Sequence, residues 1–179
     1  LKQTFELGAS YSGELLSLNK MLGSLQDAGN TVTLAGYINL LNESGLLCGL
    51  QKFSIDNARR KASIPKLQVY NNALKMVYNS LSFEQSLLDR KHWGRIFESG
   101  IGAYLVSQAF THRFEVYYWR ERNDEVDFIL RKNNSLIAIE VKSNAEKNTS
   151  GLDRFRQNFN PDKAFIVGEG GITPEEFLR

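Results

Sequence analysis

Three charged side chains on two adjacent apolar segments carry the chemistry this sequence offers. Asp127 lies within EVDFIL (125–130), and Glu140 and Lys142 lie within SLIAIEVKS (135–143). Val126, Phe128 and Leu130 alternate with Asp127 and Ile129, while Ile137, Ile139 and Val141 alternate with Ala138, Glu140 and Lys142. Successive strand side chains point to opposite faces, so the spacing predicts one apolar face and one face bearing two carboxylates and an ammonium. Charges are costly to bury unless they are paired or hold a metal. Asp127 and Glu140 on neighbouring strands can bring their oxygens to one hard divalent cation, Mg²⁺ or Mn²⁺. Such a cation activates water, neutralises phosphate and helps the leaving oxygen. Lys142 shares the face of Glu140, where its ammonium can position the water or stabilise charge on a phosphate. The expected chemistry is phosphodiester hydrolysis, or the remains of it. A cross-strand ion pair of Lys142 with either carboxylate is the purely structural alternative.

These strands need a scaffold, and the second half of the chain supplies one. Asp89 opens a long helical stretch in which Trp93, Phe97, Ile101, Tyr104 and Leu105 form an apolar stripe. Glu98 lies on its flank, where it can reach the sheet or point into water. Gly94, Gly100 and Gly102 weaken that helix, and their expected use is close approach to a sheet. Phe114–Trp119 reads as a strand and precedes the two strands described above. LDRFRQNF (152–159) reads as an amphipathic helix with Leu152, Phe155 and Phe159 inward. KAFIVG (163–168) is a short strand, and Pro174 begins a last helical turn. A helix between the last two strands makes them parallel, so the sheet should be mixed, with helices on both faces. Tyr117, Tyr118 and Trp119 have two uses, core packing or contact with another subunit of a homo-oligomer; one face of their strand must pack.

The first half reads differently. Ser17 caps a helix bearing Leu18, Met21, Leu22 and Leu25, and DAGN (27–30) is a turn. Leu34, Tyr37, Ile38 and Leu41 define a second helix that stops at Gly45. LLCGLQKFS (46–54) and KLQVY (66–70) read as strands around a polar, basic tip. Helix, turn, helix and a two-stranded flap is the order of a winged helix. The flap's charge, from Arg59, Arg60, Lys61 and Lys66, suits a phosphate backbone. The second helix offers Asn39, Asn42 and Glu43 but no Arg or Lys, which is poor for reading bases, so a protein-contacting or spacer role stays open. Residues 71–90 read as a broken helix and linker, placing the boundary between a 1–85 module and an 86–179 unit.

Composition bounds these readings. The chain has 179 residues and a net charge of +2, so any basic patch is local. Cys48 is the sole cysteine, in an apolar run, and excludes a disulfide framework or a cysteine zinc site. With only His92 and His112, a histidine-based metal site or a Ser-His-Asp arrangement is weakly supported. There is neither a run of ~20 apolar residues nor a signal pattern, so the expectation is a cytoplasmic protein without a membrane span. No GxxxxGK[ST] loop occurs, hence no ATP site of that type in these residues. The chain begins at Leu1 and reads as a piece of something longer.

Helix, three strands, helix, strand, with Glu98, Asp127 and Glu140-Val141-Lys142 in that order, resembles the core of the PD-(D/E)XK nuclease superfamily. Its motif is an acidic residue in the first helix, an Asp at the second strand and (D/E)-x-K on the third. The Pro-Asp of the name is Val126-Asp127 here. The whole chain also resembles the C-terminal half of bacterial and archaeal AAA-type ATPases, where a winged helix and a nuclease-like domain follow the ATPase domain. The resemblance implies an α/β (α+β) architecture with a winged helix before a restriction-endonuclease-like domain. It implies the carbonyl of Val141 as a further metal ligand and Glu98 as a second-metal or water-orienting residue. Arg154 or Gln157 would contact phosphate. The implied partners are DNA or another nucleic acid and an ATPase domain preceding this fragment. The alternative is a catalytically silent module that holds nucleic acid or protein for the ATPase.

Overall fold

The computed structural model describes residues 1–26, 29–56, 58, 60, 62–144 and 149–179. Three helices open the chain: α1 (Lys2–Ser10), α2 (Leu18–Ser24) and α3 (Thr31–Glu43). The Ser17 hydroxyl accepts from Lys20 N, and the Asn30 side chain caps α3 from Thr33 N. Each cap satisfies an amide that the first helical turn leaves without a partner. Leu34, Ile38 and Leu41 recur at helical spacing and are buried against Met21, Leu16 and Ala9. Gly45 (φ 65°) ends this region in the left-handed conformation that a side chain disfavours.

β1 (Leu47–Leu50) and β2 (Lys66–Val69) pair antiparallel. The first of these is shorter than the expected 46–54. Beyond Leu50 the chain leaves β2 and hydrogen-bonds to a different strand: Tyr118 N donates to Gln51 O at 3.2 Å, and Phe53 N to Tyr118 O at 2.6 Å. The detour seats Phe53 among the aromatic rings of Tyr117, Phe155 and Phe159. β2 is buried on both faces. Leu67 and Val69 join the core under α1 and α3, whereas Lys66 and Gln68 point the other way.

Two short helices, α4 (Asn72–Met76) and α5 (Phe83–Leu88), replace the expected broken helix and linker. Ser82 and Gln85 close a reciprocal capping box on α5. Asp89 caps the long α6 (Arg90–His112), which ends at Arg113 in the left-handed region. Then follow β3 (Glu115–Glu121), β4 (Asp124–Lys132), β5 (Ser135–Lys142), α7 (Ser150–Phe159), β6 (Lys163–Gly168) and α8 (Pro174–Phe177). The sheet order is β3-β4-β5-β6, antiparallel except for β5–β6, so the predicted mixed α/β sheet is present.

Helices cover both faces of this sheet. On one, Ile101, Leu105 and Val106 of α6 pack on Phe128, Ile139 and Val167, joined by Cys48 and Leu50 of β1. On the other, Leu152 and Phe155 of α7 pack on Trp119, Val126, Ile129 and Ala138. Tyr117, Tyr118 and Trp119 are all buried, so this aromatic run is core and offers no surface to another subunit. Of the three glycines of α6, Gly102 has the clearest steric reason: a Cβ there would lie 2.2 Å from Gln68 Oε1 and 2.8 Å from Phe128 Cζ. Between β2 and α6 the packing is polar. Gln68 Nε2 donates to Ser99 O at 2.9 Å, and Ser12 Oγ lies 2.8 Å from Ser99 Oγ. Among the described residues no helix is long and apolar enough to cross a membrane.

Candidate functional site

The strict alternation expected for β4 is broken around Asp127. Tyr117 pairs with Ile129 and Trp119 with Val126, so β4 carries one extra residue between these pairs. This is a β-bulge, a device that re-aims a side chain. Its result is visible in the packing: Val126 and Ile129 both face α7, while Phe128 faces α6. The ladder between β4 and β5 runs from Lys132–Ser135 to Phe128–Ile139, and Asp127 and Glu140 come just beyond it. The two carboxylates thus sit where the strands part, on backbone that the rest of the ladder holds in place.

Asp127 and Glu140 are both buried, at 9% and 8% exposure. Asp127 Oδ2 accepts a 2.7 Å hydrogen bond from Val141 N, which fixes the carboxylate across the opening. Lys142 Nζ lies 2.7 Å from Glu140 Oε1. Glu140 Oε2 is buried and has no hydrogen-bond partner among the described residues. A buried carboxylate oxygen without a donor is costly. Burial first, and repulsion from Asp127 second, push the Glu140 carboxyl up to about 8 against the opposing pull of Lys142.

Glu98 reaches the same cleft from α6, but its partner comes from outside the expected set. Lys66 of β2 forms an ion pair with Glu98 Oε1. The same ammonium donates to Asp127 O at 3.2 Å and lies 3.8 Å from Asp127 Oδ1. It also stands 4.7 Å from the centre of the Phe128 ring. Lys66 is 1% exposed, so it is not the solvated flap charge expected from the sequence. Burial alone would lower the Lys66 pKa, but Glu98 and Asp127 together hold it above the ordinary lysine value. Burial, then Asp127, push Glu98 up to about 7 in spite of Lys66.

The cleft therefore brings together Glu98, Asp127, Glu140, Val141 and Lys142 and adds Lys66. The remaining expected residues lie elsewhere. Arg59 and Lys61 lie outside the described residues. Arg60 is half-buried, with Nη1 3.5 Å from Tyr117 Oη and its guanidinium over the Tyr117 ring. Arg154 pairs with Asp124 at 3.1 Å, and Gln157 is exposed. No signal local to β2 marks Lys66 as a site residue: Lys66 and Gln68 alternating with Leu67 and Val69 looks like any strand with one wet face.

Among the described residues no three His, Cys, Asp or Glu side chains cluster closely enough to form a metal cage. Asp127 and Glu140 nevertheless fit a cation of the Mg²⁺ kind, which takes one or two carboxylates and completes its shell with water and phosphate oxygens. The orphaned Glu140 Oε2 supplies an unused hard donor. Glu98 does not fit as a further ligand while its carboxylate is held by Lys66.

Residues 93–175 match a family described as a domain of unknown function (DUF4143). The match contains Glu98, Asp127, Glu140 and Lys142 and leaves Lys66 outside it. No curated protein and no solved structure matches the chain.

Proposed function

We propose that this chain is the nuclease-like C-terminal region of a cytoplasmic AAA-type ATPase, a winged helix followed by a PD-(D/E)XK-like domain, and that its cleft hydrolyses phosphodiester bonds in DNA. The observation that carries this reading is the buried, partnerless Glu140 Oε2 beside Asp127. A buried hard oxygen left without a partner at the parted end of two strands suits a cation, and the sequence order Glu98, Asp127, Glu140-Val141-Lys142 says which kind of site would use it. Asp127 and Glu140 would hold Mg²⁺ or Mn²⁺, with the Val141 carbonyl as the further ligand that the resemblance implies. The bound cation supplies Lewis-acid stabilisation of the phosphate and a more acidic water. The chain's own contribution is positioning. The amide of Val141 orients Asp127, and Lys142, held at Glu140, offers its ammonium to a phosphate oxygen or to the attacking water.

One observation favours the second reading, a silent nucleic-acid- or protein-binding module. Part of the acidic charge is already neutralised from within, by Lys66 at Glu98. Calorimetric titration of the 179-residue chain with Mg²⁺ and Mn²⁺, beside Asp127→Ala, tests the cation. Binding in the wild type that is lost in Asp127→Ala is the expected result. Cleavage of pooled single- and double-stranded DNA, abolished by Asp127→Ala, then separates the enzyme from the silent module. Cation binding without turnover on any pool leaves the second reading in place.

A further inference from the structure

The acidic cleft has two sides, each with a lysine, and only on one side is the pair closed: Glu140 Oε2 beside Lys142 keeps no hydrogen-bond partner among the described residues. On the Glu98 side stands Lys66, which the 93–175 match does not include and which arrives from a separate sheet. Its environment is that of a bound ion rather than of a surface lysine. The ammonium is 1% exposed and surrounded on several sides: Glu98 Oε1, Asp127 O at 3.2 Å, Asp127 Oδ1 at 3.8 Å and the face of Phe128. Its stem has little room to withdraw. Its strand neighbour Gln68 is held to Ser99 O of α6 at 2.9 Å, and Lys66 itself bridges to Leu15 on its other edge. Without that ammonium, Glu98 and Asp127 would present two carboxylates to a second divalent cation, the arrangement that clamps the attacking and leaving oxygens of a phosphate.

We propose that Lys66 is a built-in cation, whose ammonium holds the Glu98–Asp127 side of the cleft against a second divalent metal and leaves Asp127 and Glu140 to bind a single one. The inference rests on the cation reading above and extends it: the first half of the chain completes the site. Glu98 is then a positioning residue that anchors Lys66. The tethered charge also makes the site's electrostatics depend on how β2 is seated against α6, so any displacement of that strand would alter cation affinity.

The test is Mn²⁺ stoichiometry by calorimetry for the wild type and for Lys66→Met in the same buffer. The expected result is one Mn²⁺ in the wild type and a second, weaker one in Lys66→Met. One Mn²⁺ in both overturns the role of Lys66 and leaves the cation reading standing. No binding in either protein sinks both. No binding in the wild type but binding in Lys66→Met overturns the proposal as stated, because Lys66 would then exclude every divalent cation instead of leaving one site. Because Lys66→Met can unfold the protein, a second measurement uses the wild type alone. The Lys66 side-chain ¹H–¹⁵N signal, assigned through its own carbons, should persist at saturating Mg²⁺ as a slowly exchanging ammonium. Its loss on adding Mg²⁺ would mean that the metal displaces Lys66, and would overturn the proposal.

Discussion

The two lysine–carboxylate pairs of the cleft look alike as contacts and differ in completeness. Lys66 and Glu98 come from different sheet and helix layers, and the ammonium is saturated by a carboxylate, a carbonyl, a second carboxylate and a ring. Lys142 and Glu140 are two residues apart on one strand, Lys142 keeps 19% of its side chain accessible, and Glu140 retains a buried oxygen without a partner. The first pair is closed by tertiary packing. The second is left open by the pleat itself, because a residue two positions along shares a face but cannot wrap a carboxylate. The comparison locates the unmet charge on the strand pair, not on the helix.

The largest effect should come from breaking the closed pair. Lys66→Met leaves Glu98 buried and unpaired, which costs ~3–5 kcal/mol of unfolding free energy. Urea unfolding at pH 8 reads it, because in the wild type Glu98, pushed up to about 7 with Lys66 beside it, is mostly ionised there, whereas without Lys66 its carboxyl is pushed higher still. At pH 5 the penalty should shrink. Lys66→Met combined with Glu98→Gln should recover most of it, since both charges are then gone. A loss below ~1 kcal/mol in the single variant at pH 8 would mean that Glu98 is not dependent on Lys66.

The open pair predicts the pH dependence of the wild type. Glu140 is raised to about 8 and Glu98 to about 7, both from 4.5. Between these values the folded chain binds more protons than the unfolded chain, so stability falls as pH rises. Without divalent cations, stability should be fullest below about pH 4.5 as far as these groups decide it, and decline as pH rises towards 8. Glu140→Gln removes the larger part of that slope, and saturating Mn²⁺ should oppose it in the wild type only. An unchanged slope in Glu140→Gln would place the unmet charge elsewhere.

How much of this could be read from residues alone depends on the range of the interaction. The order of helices and strands in the second half, the parallel β5–β6 pair and the apolar stripes of α3 and α7 follow from periodicity and caps, which are local. Asp127, Glu140 and Lys142 were legible as neighbours because the strands pair through a tight turn. The bulge at Asp127 was not, since it arises from fitting β4 to β3. Lys66 was not, because β2 shows an ordinary alternation and its polar face becomes interior only when α6 covers it. The shortened β1 has the same origin: Gln51 and Phe53 choose β3 over β2 for tertiary reasons.

The floor beneath Lys66 gives a smaller test. Gly102→Ala forces a methyl into Gln68 and Phe128, and should cost ~1–2 kcal/mol by overpacking the seam on which Lys66 rests. Gly100→Ala, whose added Cβ meets Asn72 Nδ2 at an ordinary 3.5 Å, should instead be neutral or gain up to ~1 kcal/mol from helix propensity. Thermal unfolding of the two variants side by side checks the contrast. Equal effects would show that the α6–β2 seam is looser than its packing suggests.

The smallest effect should come from the ion pair that lies outside the comparison. Arg154 of α7 meets Asp124 of β4 at 3.1 Å with 47% of its side chain exposed. An exposed pair of this kind contributes at most ~0.5 kcal/mol, so Arg154→Ala should leave unfolding nearly unchanged. It should also leave Mn²⁺ binding unchanged, because Arg154 touches none of the cleft carboxylates among the described contacts. If DNA lies across this face, the variant should weaken DNA binding by a few-fold and lower the salt dependence by about one phosphate contact. Equal DNA binding in both proteins removes α7 from the nucleic-acid surface. Weaker Mn²⁺ binding in Arg154→Ala would join Asp124 to the site, and the cleft would then extend along β4 beyond the two pairs compared here.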